Sequence, residues 1–170
     1  MVQHIISAKQ DKEMFKELDK NGTSFFGHTF KATPDQLRKK FGKETYSGYD
    51  VLDKSEMDWN IVLEITPNLH ILFTIYDWKY YRHIQPNETI VFHIGARNAA
   101  ESSIANFYMS AILNKDFSEN GVKYDVNVDY NVFMRYMAIL LDEAKKNTCC
   151  LFTYPEVEKI EKAIKELKEM

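Results

Sequence analysis

Cysteine, proline and glycine are all scarce in this chain of 170 residues, which holds two cysteines, four prolines and six glycines. The two cysteines, Cys149 and Cys150, are neighbours and cannot link distant segments, which argues against a secreted disulfide framework. The chain also lacks internal repeats, low-complexity tracts and any stretch that resembles a linker. We therefore expect one domain over residues 1–170.

Excess positive charge and long apolar runs are lacking as well. The formal net charge is -3, from 22 lysines and arginines against 25 aspartates and glutamates, so no global positive field favours non-specific binding to nucleic acid. No stretch approaches the roughly 18 apolar residues of a membrane span, and the N-terminal segment soon turns polar. These absences predict a cytoplasmic protein that has neither a membrane nor non-specific nucleic acid as a partner.

Signatures of known reactions are the third absence. The sequence has no phosphate-binding loop, no nucleophile elbow and no HExxH motif. Residues 125–129 begin like a calcium loop, but Tyr130 replaces the required glycine and Tyr136 stands where a bidentate glutamate should be. We expect no metal and no other cofactor, and no residue is assigned outright as catalytic.

Apolar and aromatic residues are plentiful, at 45% and 14%, and their spacing predicts helices near both ends of the chain and strands in the middle. The predicted helices cover residues 11–20, 34–41, 99–113, about 130–144 and 156–169, and the predicted strands cover residues 25–30, 57–65, 70–81, 89–94, 122–128 and 148–152. Thr33 and Gln36 form a capping box, and Asn98 is the expected N-cap of the third helix. A strand meander flanked by helices indicates an α+β fold with an antiparallel sheet.

The central hairpin carries most of the polar chemistry, and its register decides which side chains meet. A four-residue turn at residues 66–69 would pair Trp59 with Tyr76 and Asp58 with Asp77. We expect the third strand to end before Gly95, where the chain changes direction.

One hypothesis is a metal-dependent nuclease or phosphodiesterase that uses Asp58, Asp77 and Lys79. Two carboxylates opposite each other would supply oxygen ligands for magnesium, and the lysine would stabilise the nucleophile. The acid-x-lysine triplet resembles the pattern of the restriction-type nucleases, although a third acid in the position that this family requires is missing. The alternative is a solvated strand face with an ion pair between Asp77 and Lys79.

A second hypothesis is a binding site for a nucleotide-like ligand. Residues 95–98 lie between a strand end and a helix start, where backbone amides, the helix dipole and the Arg97 guanidinium would attract an anion. Nearby aromatic side chains would stack on a base. The alternative for residues 95–98 is an ordinary helix cap with an exposed arginine. The alternative for His93 is a partly buried histidine whose hydrogen bonds are satisfied, rather than a general base or a ligand-binding residue. The candidate ligand-binding residues are Tyr76, Trp78, Lys79, His93, Arg97 and Asn98.

Short motifs between residues 26 and 95 are similar to a pattern in small uncharacterised accessory proteins of tailed bacteriophages. The motifs are FGHTFKATPDQLRKKFG, Asp53-Lys54, Trp59, FTIYDWK and FHIG. The resemblance implies a virus-encoded accessory role and supplies no catalytic residues.

Together these patterns favour a non-catalytic counter-defence protein of the host cytoplasm that binds and sequesters a nucleotide-like signalling molecule. An inhibitor that binds a host protein is one alternative, because excess aromatic residues are typical of interfaces. The metal-dependent nuclease is the other, and a homo-oligomer remains open.

Overall fold

The computed structural model describes residues 5–19, 22–48, 54–66, 69–114 and 126–127, together with positions 138, 162 and 165. The strands are β1 (Ile5–Lys9), β2 (Ser24–Ala32), β3 (Tyr46–Ser47), β4 (Met57–Thr66), β5 (Leu69–Asp77), β6 (Ile90–Ala96) and β7 (Val126–Asn127), and the helices are α1 (Lys12–Leu18), α2 (Pro34–Phe41) and α3 (Ala99–Asn114). The strands form one sheet in the order β2-β6-β5-β4-β1-β7, with β3 paired to β4 beside this path. Every pairing is antiparallel, so the predicted α+β fold is confirmed.

The helix starts follow the predicted capping chemistry. The Thr33 side chain accepts a hydrogen bond from the Gln36 amide at 3.1 Å, and the Gln36 side chain accepts one from the Thr33 amide at 2.8 Å, which completes the capping box of α2. Asn98 Oδ1 accepts from the Glu101 amide at 2.9 Å at the start of α3. The helix predicted over residues 11–20 is present as the shorter α1.

Several predicted elements lie outside the described residues. These are the helix from about 130 to 144, the strand at 148–152 and the helix at 156–169, apart from Ala138, Lys162 and Lys165, which are helical. Of the strand predicted over residues 122–128, the described part is β7. The sequence patterns missed β1, which pairs with β4 and lies in a segment that reads as polar.

One face of the sheet carries the main core, under α2 and α3. Alternate residues of β4, β5 and β6 point to this face because side chains of a strand alternate between its two sides. They include Trp59, Ile61, Leu63, Phe73, Ile75, Phe92 and Ile94, and they pack with Leu37 and Phe41 of α2 and with Ile104, Tyr108 and Met109 of α3. Trp59 is fully buried, contacts the Phe92 ring edge-on at 5.9 Å between centroids, and donates from Nε1 to the Gly42 carbonyl at 3.0 Å.

The opposite face of the sheet is covered only in part by α1. Phe15 of α1 packs on Val62 and Leu72 in a second, smaller apolar cluster. Further along the same face, no helix among the described residues covers the surface formed by Tyr76 and His93. The candidate site lies on this part of the face.

The register of the central hairpin differs from the prediction by one residue. Asp58 pairs with Tyr76, and Trp59 pairs with Ile75. The pairing is irregular between Glu64 and Thr66, beside the turn. An irregularity of this kind changes which residues face each other along the rest of the hairpin.

The changed register separates residues that the prediction had brought together. Asp77 points to the face opposite to that of Asp58, and Tyr76 to the face opposite to that of Trp59, because neighbours in a strand alternate. The predicted pairs Asp58 with Asp77 and Trp59 with Tyr76 are therefore wrong.

Two strand ends also differ from the prediction. β5 ends at Asp77 rather than at residue 81, because Lys79 and Tyr81 adopt left-handed backbone conformations with φ of 60° and 52°. β6 continues through Gly95 to Ala96, so Gly95 lies inside a strand instead of ending it.

Candidate functional site

Three adjacent strands place Asp58, Tyr76 and His93 in one row on the face that α1 leaves open. Asp58 of β4 pairs with Tyr76 of β5, which pairs in turn with His93 of β6. Directly paired residues point to the same side of an antiparallel sheet, with neighbouring strands about 4.8 Å apart. Tyr76 therefore lies between the carboxylate and the imidazole.

Four rings form a continuous surface along this row, which we call the aromatic wall: Phe25, His93, Tyr76 and Trp78. The His93 ring stacks on the Tyr76 ring at 5.6 Å and 25°, and it contacts Phe25 at 5.0 Å. Trp78 meets Tyr76 edge-on at 5.9 Å. Phe25 and Trp78 are 48% and 39% exposed, so the wall presents apolar surface to solvent.

A pocket of about 540 Å³ lies against the aromatic wall. Apart from the four rings it is lined by Asp58, Gly95 and the hydroxyl side chains of Thr23, Ser24, Ser55 and Thr74. A volume of this size is in the range of small-molecule sites. Among the described residues of the lining, Asp58 is the acidic side chain and His93 the basic one.

Gly95 makes room for the floor of the pocket. A Cβ atom at this position would lie 2.3 Å from Thr74 Oγ1, 3.2 Å from Thr23 Oγ1 and 3.4 Å from the Tyr76 ring. The two threonine hydroxyls lie 3.3 Å apart, within hydrogen-bond distance. The absence of a side chain at Gly95 therefore lets β2, β5 and β6 bring these groups together.

Asp58 has an unusual electrostatic environment. Its Oδ1 is buried and has no hydrogen-bond partner among the described residues. Burial, followed by the negative charge of Asp77, raises the pKa of Asp58 to about 6. The charged form of the carboxylate is therefore unfavourable in free energy, and a ligand that donates hydrogen bonds to it would stabilise that form.

His93 is half-buried, and its Nδ1 also has no hydrogen-bond partner in the described part of the chain. Burial lowers the pKa of its imidazole, an effect that the charge of Asp77 partly opposes, so the ring is neutral at pH 7. The interpretation of His93 as a satisfied histidine does not match this arrangement. A neutral imidazole offers one donor and one acceptor to a ligand.

Two lysines lie beside the outer end of the aromatic wall. Lys54 Nζ is 5.4 Å and Lys79 Nζ 5.7 Å from the centroid of the Trp78 ring. The Lys79 amide donates to the Lys54 carbonyl at 2.6 Å, which holds the two residues together. They supply local positive charge at the edge of the pocket.

Asp77, a predicted metal ligand, has a structural role on the other face. Its carboxylate accepts hydrogen bonds from the Met57 amide at 2.7 Å and from the Glu56 amide at 2.9 Å. It is 2% exposed, so the interpretation as a solvated ion pair with Lys79 is wrong as well. Asp58, Asp77 and Lys79 do not assemble into the predicted face of two carboxylates and a lysine.

Arg97 lies in the junction between β6 and α3 and is 8% exposed. Its Nε donates to Glu101 Oε2 at 3.0 Å, and its Nη1 donates to the Leu18 carbonyl at 3.0 Å. Asn98 caps α3 with its side-chain oxygen. Neither residue lines the pocket, so the geometry gives no support to an anion site at residues 95–98.

Of the ligand-binding residues predicted from the sequence, Tyr76, Trp78 and His93 come together in the structure, and Lys79 lies at the edge of the pocket. The sequence patterns did not point to Phe25 or to the hydroxyl side chains. They placed Gly95 in the proposed anion site and Asp58 in the proposed metal site. The period of two from Thr74 through Tyr76 to Trp78 is a signal that could have placed Thr74 in the site. Phe25 carries no such signal, because its place depends on an irregular pairing of β2 with β6.

Neither the comparison with protein-family models nor the search of curated proteins gave a match to this sequence. Among the described residues, no group of three or more histidine, cysteine, aspartate or glutamate side chains is placed to hold a metal ion. In the same part of the chain, no helix is long and apolar enough to cross a membrane.

Proposed function

We propose that this protein binds a nucleotide-like small molecule, with the base against the aromatic wall and the phosphate toward Lys54 and Lys79, and does not transform it. The observation that carries the proposal is the pocket of about 540 Å³, which is lined by stacked rings and by the side chains of Asp58 and His93. Stacking on aromatic side chains is a general means of holding a base, and it contributes about 1 to 3 kcal/mol for each base.

The charge pattern around the pocket supports a ligand with two different ends. Lys54 and Lys79 approach Trp78 from outside the lining, where they attract an anionic group by charge. Asp58 repels anions from the inner part of the pocket. A ligand whose base lies at the inner end and whose phosphate lies at the outer end fits the negative charge of Asp58 and the positive charge of the two lysines.

The role of the ligand is proposed from the resemblance to phage accessory proteins over residues 26–95. A virus-encoded protein of the host cytoplasm that removes a nucleotide signal would act as a counter-defence protein without catalysing a reaction. The exposed aromatic residues Phe26 and Tyr81 favour the alternative, a surface that binds a host protein.

Thermal-shift measurements with linear and cyclic nucleotides test the proposal. A ligand at 100 times its dissociation constant adds about 2.7 kcal/mol to the free energy of unfolding and should raise the melting temperature. Trp78→Ala should weaken binding about tenfold or more, since it removes a stacking ring. Tyr81→Ala is the matched control, because Tyr81 is an exposed aromatic residue outside the pocket lining.

Chromatography of the mixture after several hours completes the test. The nucleotide should be recovered unchanged in the presence of magnesium. Turnover that is lost in Asp58→Ala would favour the enzyme instead, and the absence of any nucleotide-dependent shift would favour binding of a host protein.

A further inference from the structure

A second pocket lies beside α1, on the same face of the sheet as the aromatic wall. It has a volume of about 490 Å³ and is lined by side chains of α1, by Tyr46 of β3 and by Asn60 of β4. We call it the helix pocket. Its volume, like that of the pocket against the aromatic wall, is in the range of small-molecule sites.

The two pockets adjoin each other across β4. Tyr46 of the helix pocket pairs with Asp58, which lines the pocket against the aromatic wall. Asn60 of the helix pocket pairs with Thr74, which also lines the other pocket. Paired residues of neighbouring strands have Cβ atoms about 5 Å apart. The pockets are therefore close enough for two ligands in them to touch, or for one longer ligand to occupy both.

Tyr46 gives the helix pocket an aromatic surface. This residue is 66% exposed. Within the described part of the chain no other ring contacts it, whereas the Tyr76 ring is stacked against His93. The Tyr46 ring is therefore open to stack on a base.

The helix pocket also has its own pair of lysines. Lys12 and Lys16 are four residues apart in α1, so they lie on one side of the helix. No carboxylate of the described residues is within ion-pair distance of either ammonium group. Two carboxylates, Glu13 and Asp19, complete the charged part of the lining. This mixture of charges suits a nucleotide, whose phosphate is anionic and whose base carries N–H donors.

The two lysine pairs lie at opposite ends of the combined surface. Lys54 and Lys79 lie next to Trp78. The helix α1, which carries the other pair, packs on Leu72, and an extended strand covers about 20 Å between positions 72 and 78. One phosphate group is too small to contact both pairs, and the Asp58 carboxylate between them repels an anion. Two phosphate groups, one at each end, fit this arrangement.

We propose that the helix pocket binds a second nucleotide unit, with its base on Tyr46 and its phosphate toward Lys12 and Lys16. The inference rests on the proposed function and adds a second site to it, so that one chain holds two nucleotide units. The second unit is either the other half of a dinucleotide or a separate mononucleotide. Both present the same base and phosphate chemistry to the pocket.

Isothermal titration calorimetry with adenosine and guanosine 5′-monophosphates, and with linear and cyclic dinucleotides of the same bases, tests the inference. If the units are separate, a mononucleotide should bind with two molecules per chain, and Tyr46→Ala should reduce this to one. If they are linked, a dinucleotide should bind about tenfold or more tightly than the mononucleotide, because its second contact becomes intramolecular, and Tyr46→Ala should abolish the gain. Tyr81→Ala is the control, since Tyr81 is an exposed tyrosine outside both linings.

A charge variant gives the second readout. Lys16→Ala should weaken the binding of the second unit several-fold at low salt and less at high salt, because added ions screen the charge. Lys31→Ala is the matched control, because Lys31 is an exposed lysine outside both linings.

Three results would overturn the inference. One mononucleotide per chain, together with dinucleotides that bind no more tightly, would leave the proposed function in place with a single site. A second unit whose binding is unchanged in both Tyr46→Ala and Lys16→Ala would also leave the proposed function in place and would show that the helix pocket does not hold that unit. No binding of any nucleotide would overturn both the inference and the proposed function.

Discussion

Asp58 lies directly opposite Tyr76 in the central hairpin, on the face of the sheet that α1 leaves partly uncovered. The pairing puts a carboxylate whose buried oxygen has no partner among the described residues next to the central ring of the aromatic wall. Had the hairpin paired one residue further along, Asp58 would have faced Asp77, and Tyr76 would have pointed into the core. The position of this pair therefore determines which side chains line the pocket.

The free energy of unfolding should depend on the protonation of Asp58. Its pKa is raised from 3.8 to about 6 in the folded protein, so the folded state holds this proton more tightly than the unfolded state does. Stability from this group is therefore highest below pH 4 and falls as the pH rises to about 6, by at most about 3 kcal/mol. Urea unfolding between pH 4 and pH 8 measures the change.

Comparison with Asp58→Asn isolates this group from the other titrating residues. The variant should match the wild-type protein at pH 4 and should be more stable at pH 7.5. Glu64→Gln, on the same strand, should show no such difference. A variant that is less stable than wild type at pH 7.5 would mean that Asp58 has a stabilising partner when it is charged.

Gly95→Ala should destabilise the protein by about 1 to 3 kcal/mol, the usual cost of overfilling a packed site. The new Cβ would meet Thr74 Oγ1 at 2.3 Å, and Thr74 is itself buried between strands. The double variant Gly95→Ala with Thr74→Ala should recover part of the loss because it removes the clashing hydroxyl. A double-mutant cycle in urea measures the coupling, and strict additivity would contradict the contact.

Arg97→Ala should destabilise the protein by about 3 to 5 kcal/mol and should leave nucleotide affinity unchanged. The change removes the charged partner of the Glu101 carboxylate, whose side chain is 1% exposed. Arg82→Ala is the matched control: its ion pair with Glu88 is exposed and screened by solvent, so we expect a much smaller loss of stability. A tenfold loss of nucleotide affinity in a folded Arg97→Ala protein would restore the anion-site hypothesis.

The two tryptophans should respond differently to the same substitution. Trp59→Ala should cost about 3 to 5 kcal/mol, because Trp59 is fully buried and its Nε1 donates to the Gly42 carbonyl. Trp78→Ala should cost much less, because Trp78 is 39% exposed at the end of the aromatic wall. Chemical denaturation of both variants measures the difference, and similar losses would show that Trp78 also belongs to the core.

Local patterns predicted much of the fold because their causes are local. The capping box at Thr33 and the N-cap at Asn98 involve partners three residues away, and both form as predicted. The alternation from Met57 to Ile65 depends only on the geometry of a strand. These features follow from neighbouring residues alone.

The sequence by itself therefore determined the types of the described elements other than β1 and β3, the capping of α2 and α3, the apolar face of the central strands and three rings of the candidate site. The tertiary structure decided the register of β4 with β5, the irregular pairing that brings Phe25 to His93, and the burial of Arg97 with Glu101. Each of these depends on contacts between distant segments. A shift of one residue exchanges the two faces of a strand without changing its local pattern, so only the folded chain could place Asp58 beside Tyr76 and Asp77 on the other side.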